Sequence, residues 1–550
     1  MDTRLVVAGT ALIGHQVFRR YETYSIAVHA FLLFGPPLLL AVGTASTITF
    51  GVLFSVCWTY LATLVLSILV YRLSRLHPLS QYPGPICCRA SKLWHACLVL
   101  SGRQHKYLQA LHERYGDVVR IGPNDLSIRD ASLIPALLGA SGVPKGSNFH
   151  GAMLTATNPP MAGIQDTQLH MARRRPWARG LAPSALKEYE GLVGKRTQQL
   201  VRLLEKRGGA VVLLGQVFNY FSYDLMCDMA FGGGAELMEE GDPTNVWHLL
   251  DEGCKAAAFF HQIDWLGVYV GHIPAAVKPL QIFLSHGKTL AMERMRRGST
   301  RPDLFHYLNE EDIPERPSPP LQHLVNDGIL AVVAGSDTSS SCLTSLFFLL
   351  LTHPETYAKL QAEVDRYYSA GEDPAETKHH RDMPYLHAVI SEALRLLPPV
   401  MTSSPRKVPA HASGVHIGSL HLPPGTSFVV PPYALQRDPR NFSFPDTFWP
   451  ERWLVASGQV RLEDATSPRP SAGPYEFVHN EVAFMAFSHG PMNCVGRGFA
   501  LQEIRTVVCA LLQRFAVRLE EGWDPREYEA AYEDYFVSTR PALPVVLEKR

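Results

Sequence analysis

The residues with the clearest chemical promise form the run Phe487-Ser488-His489-Gly490-Pro491-Met492-Asn493-Cys494-Val495-Gly496. A lone cysteine stands in a Gly/Pro-rich loop and just precedes an expected helix. A helix N-terminus lowers a thiol pKa and favours the thiolate. Gly490 and Gly496 permit a tight loop whose backbone N–H groups face the sulfur, and a thiolate held this way is a good axial ligand for haem iron. Taken alone, such a cysteine is more often a small core hydrophobe.

Three more segments mix residue types unusually. Glu392-Ala393-Leu394-Arg395 places a carboxylate and a guanidinium at i, i+3 on one helical face. Phe448-Trp449-Pro450-Glu451-Arg452-Trp453 supplies Arg452, which can join that pair; its plain reading is a surface turn. Ala334-Gly335-Ser336-Asp337-Thr338 sets a carboxylate and a hydroxyl inside an apolar helix. Burying them there is costly without a use, although Ser and Thr can also bond back to helix carbonyls.

These segments need elements to position them. A helix is expected at Lys106–Tyr115, then a hairpin from Val118 to Ile128 turning at Gly122-Pro123-Asn124-Asp125. Residues 183–295 read as mostly helical, Ala331–Leu351 as a long apolar helix, Pro384–Leu397 as another, and Gly498–Phe515 as the last. Thr352-His353-Pro354-Glu355 has the form of a capping box. Short strands are expected at 415–417, 420–422 and 428–430. The pattern predicts a mainly α fold with a small β region, one large domain over residues 79–550.

The first 78 residues read as a membrane segment of one to three spans. Residues 23–71 carry no Asp, Glu, Lys or Arg, and about 20 apolar residues suffice to cross a bilayer. The best span is 50–71, ending on Arg72 and Arg75; a second candidate, 25–42, is interrupted by Pro36-Pro37, and 6–18 is short enough to be interfacial. The two arginines place the downstream chain on the cytoplasmic side. Tyr82-Pro83-Gly84-Pro85 then reads as a stiff hinge. The 51 basic and 51 acidic side chains balance, which argues against a nucleic-acid binder. Nine cysteines without a C-x-x-C pair exclude a disulfide scaffold and zinc-ribbon sites.

Taken together and in this order, the four segments resemble the cytochrome P-450 family of haem-thiolate monooxygenases, over essentially the whole chain after residue 80. The anchor and proline hinge look like the membrane-bound microsomal type, and the wording of the cysteine loop looks most like fungal members. The resemblance implies haem b as cofactor, with Cys494 as its axial iron ligand and Phe487 packed near the thiolate. It implies a buried triad of Glu392, Arg395 and Arg452 that holds the cysteine-loop region. It implies that Thr338 hydrogen-bonds dioxygen and that Asp337 helps deliver protons. His170, Arg174 and Arg406 are the candidate partners of the haem propionates, with Arg173 and Arg175 read as a solvated basic run. One departure is Met492, where the family usually has an arginine.

Only residues 495–550 follow the cysteine, too few for a flavin domain. The resemblance therefore implies electrons from NADPH through a separate NADPH-cytochrome P-450 reductase, with cytochrome b5 as a further partner and Arg497 as a docking contact. It places the protein in the endoplasmic reticulum membrane, catalytic domain toward the cytosol. The expected substrate is a lipophilic small molecule, a secondary metabolite such as a terpenoid. Phe259, Phe260, Trp265 and Tyr269 are candidates for an access channel, and 149–153 and 401–403 for the pocket. Two other readings stay open: a haem-thiolate isomerase or lyase, against which Thr338 argues, and a non-enzymatic haem-binding membrane sensor, which would not need the Asp337–Thr338 pair.

Overall fold

The computed structural model describes residues 3–44, 47, 49–298, 302–369, 371–466, 468 and 476–550. The chain is mostly helical with small sheets. Its centre is the helix Leu321–Thr352, apolar enough to be buried along most of its length. Helix Leu214–Phe231 packs along it. The approach is so close at Gly335 that a Cβ there would meet Met226 Sδ at 2.5 Å. A larger residue at the glycine of the Ala-Gly-x-Asp-Thr segment would therefore have to displace the flexible Met226 side chain. Helices Pro384–Leu396 and Arg497–Arg514 lie against the same central helix and complete the largest core cluster.

The β region sits at one side. Strands Val118–Arg120, Asp125–Ile128, Ser427–Val429 and Arg406–Lys407 form one sheet in that spatial order, with Asp125 parallel to Ser427. Its own apolar cluster includes Leu126, Ile128, Leu422 and Phe428. Val415–Ile417 and Leu420–Leu422 form a hairpin, as expected. Near the C-terminus, Glu533–Tyr535 and Val537–Thr539 make another hairpin with Phe536 at its tip.

Three helices precede this body: Thr3–Arg20, Ile26–Thr44 and Phe50–Leu73. Two, over Ile26–Gly43 and Phe50–Leu73, are long and apolar enough to cross a membrane. Pro36 does not end the second helix. It lacks the N–H that would bond Leu32 O, and the hydroxyl of Tyr60 donates to that carbonyl instead, at 2.9 Å. In an apolar surround a neighbouring side chain has to supply the missing partner.

The Tyr82–Pro85 segment is docked rather than free. Tyr82 Oη donates to His421 O at 2.7 Å, and Arg120 N donates to Pro83 O at 2.7 Å. Three other expectations change in detail. The central helix starts at Leu321, ten residues before the apolar run, because its polar first turns pack Asn326 and Asp327 inward. The capping box at Thr352 does not form. Thr352 Oγ1 donates back to Phe348 O at 2.9 Å, so His353 is the N-cap and Pro354 starts the next helix. Arg173 is not solvated: its Nε lies 2.7 Å from Oδ2 of the buried Asp327.

Candidate functional site

The cysteine loop is built around two left-handed residues, Ser488 (φ 60°) and Gly490 (φ 74°). A Cβ on Gly490 would meet Leu138 O at 2.0 Å, so only glycine fits. Gly496 faces no such clash, and its ideal Cβ would lie 3.9 Å from Cys494 Sγ. Cys494 N donates to Phe487 O at 2.9 Å, and Gly496 caps helix Arg497–Arg514. The backbone N–H groups of Gly496 and Arg497 point at the sulfur, as the spacing suggested. Burial nevertheless outweighs them and pushes the thiol up, with those N–H groups and Arg174 opposing. The side chain keeps an accessible face although protein surrounds it closely.

Opposite elements show the same signature. Ala334 is exposed and Thr338 half-buried in the middle of an otherwise buried helix. Thr338 Oγ1 donates to Ala334 O at 2.7 Å. That back-bonding leaves the hydroxyl oxygen with acceptor capacity. Asp337 points elsewhere: its Oδ1 lies 3.0 Å from Arg540 Nη1. Burial pushes this carboxyl up and Arg540 opposes the shift.

A haem carries two propionates, and the chain offers them cations with no competing acid. His170 is buried; its Nδ1 meets Met161 O at 3.0 Å, while its Nε2 has no partner. Burial, then Lys145, lower its pKa to about 4. Arg406 is buried, bonds only Val143 O (3.3 Å) and Met492 Sδ (2.9 Å), and burial lowers its pKa to about 10. Lys145, in an isolated bridge with Arg406, is pushed down to about 7 by burial and then by Arg406 and Arg174. His170 and Arg406 are buried and Lys145 and Arg174 partly so, and after burial the neighbouring cations lower the pKa of His170 and Lys145, an arrangement that fits an anionic edge. Arg174 also has a second duty, donating to Asn493 O and Oδ1 at 2.8 Å each and so tying the residue before Cys494.

Beneath the loop, Glu392, Arg395 and Arg452 are fully buried. Arg395 grips Glu392 through Nε–Oε2 at 2.9 Å and Nη2–Oε1 at 2.8 Å, and Arg452 Nε reaches Oε1 at 3.0 Å. Trp449 N and Trp453 Nε1 each add a bond of 3.0 Å. Burial opposes ionisation, yet Arg395 and Arg452 hold the carboxyl down at about 2. Arg395 Nη1 also donates to Gln436 O at 2.8 Å, and Gln436 Oε1 accepts from Met485 N at 2.7 Å. The triad is thereby linked to the strand of chain entering the cysteine loop.

Sequence reasoning missed Lys145, Arg540 and Glu503. Lys145 and Arg540 lie in irregular segments without a motif. Glu503 is buried in the helix that follows Cys494, where it accepts bonds from Ser339 Oγ (2.8 Å) and Ser222 Oγ (2.9 Å). Its signal was an acid on the apolar face of a core helix. Arg497 is exposed, its guanidinium 5.6 Å from the Phe487 ring centre. Trp265 is exposed, while Tyr269 bonds His29 of an apolar N-terminal helix.

A cysteine loop at a helix start, an acid–hydroxyl pair on the central helix and a group of basic residues near the loop are the parts a haem-thiolate oxidoreductase would need. The chain belongs to the cytochrome P-450 family, whose model matches residues 83–542. It is 32% identical to the cytochrome P-450 monooxygenase FCK2 of Fusarium pseudograminearum over 90% of this chain and 87% of that protein. It is 32% identical to the monooxygenase nodW of Hypoxylon pulicicidum over 93% and 90%. It is 29% identical to the tryprostatin B 6-hydroxylase of Neosartorya fischeri over 90% and 86%. The protein is thus an oxidoreductase that incorporates molecular oxygen, with haem iron as the family's cofactor.

Proposed function

We propose that the protein hydroxylates a lipophilic secondary metabolite, drawing electrons from a separate NADPH-dependent reductase on the endoplasmic reticulum membrane. Cys494 would hold the haem iron through its sulfur, and the haem so held would supply oxygen activation. The observation that carries this reading is Cys494 at the start of Arg497–Arg514, its sulfur faced by two N–H groups beside a cradle of unpaired cations.

The chain's own groups then have separate tasks. His170, Lys145 and Arg406 hold the propionates; for His170 Nε2 to donate, it must carry a proton. Arg174 fixes the loop. Thr338 offers a hydroxyl to dioxygen, and Asp337 moves protons toward that hydroxyl from the side of Arg540. Phe487 shields the sulfur. Two apolar N-terminal helices and the exposed Trp265 support access from a membrane. The name of one relative makes tryprostatin B a first substrate to try.

The deciding measurement is the absorption spectrum of the reduced, detergent-solubilised protein under carbon monoxide. A strongly red-shifted Soret band is expected and establishes thiolate ligation; Cys494→Ala abolishes it. A band typical of histidine-ligated haem, or no haem at all, overturns the reading.

A further inference from the structure

Between the small sheet and helix Val246–Gln262 lies a cavity of about 40 Å³. That is room for one functional group, not a whole substrate. Its wall includes Asn148, His261, Thr402 and Phe536. His261 packs against two rings, Phe149 at 5.3 Å and Phe536 at 4.9 Å, which also touch each other at 6.2 Å. Both of its ring nitrogens are buried with no hydrogen-bond partner. Asn148 is 4% exposed, and its Oδ1 also has none. Three unmet polar atoms on one small cavity are an expensive arrangement for a structure with nothing to bind there.

The position suits a substrate contact. Cys254, Ala258 and His261 fall at i, i+4 and i+7 on one helix face. Burial, and after it the charge of Asp337, push the Cys254 thiol up, which sets Cys254 toward the acid on the same helix face. On the far side, Thr402, Ser403 and Pro405 of the wall lead into Arg406 of the propionate cradle. The lid is strained. Phe536 has φ 79°, a region that costs an aromatic residue energy. Asp534 holds the turn through a bond from Phe536 N at 3.3 Å and is itself fixed by Thr402 Oγ1 at 2.6 Å.

The charges around the cavity select a neutral ligand. Lys92, the one lysine or arginine on the wall among the described residues, is paired with Asp125 at 2.7 Å, so an anion meets no free cation there. Burial keeps His261 neutral, with its pKa lowered to about 4. A neutral imidazole has one donor and one acceptor nitrogen.

Building on the monooxygenase reading, we propose that His261 and Asn148 form a polar subsite that orients the substrate by hydrogen-bonding a neutral amide-type group on it, with Phe536 packing against the adjoining apolar part. The amide N–H meets Asn148 Oδ1 or the bare His261 nitrogen, and its carbonyl accepts from the protonated one.

The test uses the haem-loaded full chain and imidazole probes, whose nitrogen ligates the iron and shifts the Soret band. Each probe carries an alkyl chain of graded length ending either in a benzamide or in an alkylbenzene of matched size. In the wild type the benzamide is expected to bind more tightly at one chain length. His261→Leu and Asn148→Leu should each weaken it about ten-fold there, leave the alkylbenzene unchanged, and His261→Gln should restore part of the preference. No benzamide preference at any length, or the same preference in the leucine variants, overturns the subsite. The carbon monoxide spectrum of each protein is taken first, so failure of the haem-thiolate reading, or of folding in one variant, is told apart from failure of the subsite.

Discussion

Arg540 Nη1 lies 3.0 Å from Asp337 Oδ1, and its Nη2 lies 2.8 Å from Asn219 Oδ1. One guanidinium from the chain after the C-terminal hairpin thereby joins the acid of the central helix to the helix packed beside it. Its hold on Asp337 is further steadied by Ser538 O at 2.7 Å. The acid that the resemblance assigns to proton delivery is thus a partnered carboxyl whose release depends on a residue 203 positions away.

Arg540 is a positioning residue, and its removal should be read through protons. Arg540→Met is expected to lower turnover about ten-fold, while the thiolate Soret band is kept. Without the guanidinium, burial pushes Asp337 further up and the acid gives up its proton less readily; a ten-fold effect corresponds to about 1.4 kcal/mol. The solvent deuterium isotope effect should rise in Arg540→Met and return in Arg540→Lys. An unchanged isotope effect with reduced turnover makes Arg540 a packing residue only.

Haem retention should depend on the cradle. Lys145→Met and Arg406→Met should each speed haem loss to an excess of apomyoglobin about ten-fold, the scale of one charge-assisted hydrogen bond. Met492→Arg should retain haem as well as the wild type or better, since Met492 Sδ already lies beside Arg406 at 2.9 Å. Faster haem loss in that variant shows that cation crowding outweighs the added contact.

Glu503 makes stability fall as pH rises. Its only side-chain partners are Ser222 and Ser339, and burial raises its pKa to about 7. The folded state therefore binds the proton more tightly than the unfolded chain. Stability is fully present below the ordinary glutamate range, about 4.3, and is lost as pH climbs through 7. The loss is on the order of 3 kcal/mol. Glu503→Gln keeps bonding capacity to both serines and should flatten the denaturation profile between about pH 4 and pH 7, the window those two values bracket.

The triad has the opposite sign. Glu392 is held down at about 2, so its contribution is full above the ordinary carboxylate range and disappears as pH falls toward 2. Glu392→Gln leaves Arg395 and Arg452 buried without their acid. Removing one partner of such a pair costs about 3–5 kcal/mol, and chemical denaturation should show a midpoint lowered accordingly, with the cysteine loop losing haem first because Gln436 links the two.

The sequence by itself determined the elements and the pieces of chemistry that are local. Cys494 before a helix, Glu392 and Arg395 one turn apart, and Asp337-Thr338 in an apolar run are readable because helix geometry fixes neighbours three and four residues away. The hairpins at 118–128 and 415–422 follow from their turn residues in the same way. The two apolar spans needed only length and composition. The capping box failed because two rules competed at Thr352, and the back-bond to Phe348 won.

Tertiary structure alone decided which distant groups share a charge or a cavity. Lys145 meets Arg406, Arg540 meets Asp337, and His261 shares a cavity wall with Asn148, pairs far apart in the chain that no local period relates. Arg173 became part of the interior only because helix packing set Asp327 in front of it. Burial acts the same way: whether a thiol or carboxyl is stabilised charged or neutral depends on what excludes water around it. That is a property of the packed elements and not of the order of residues within any one of them.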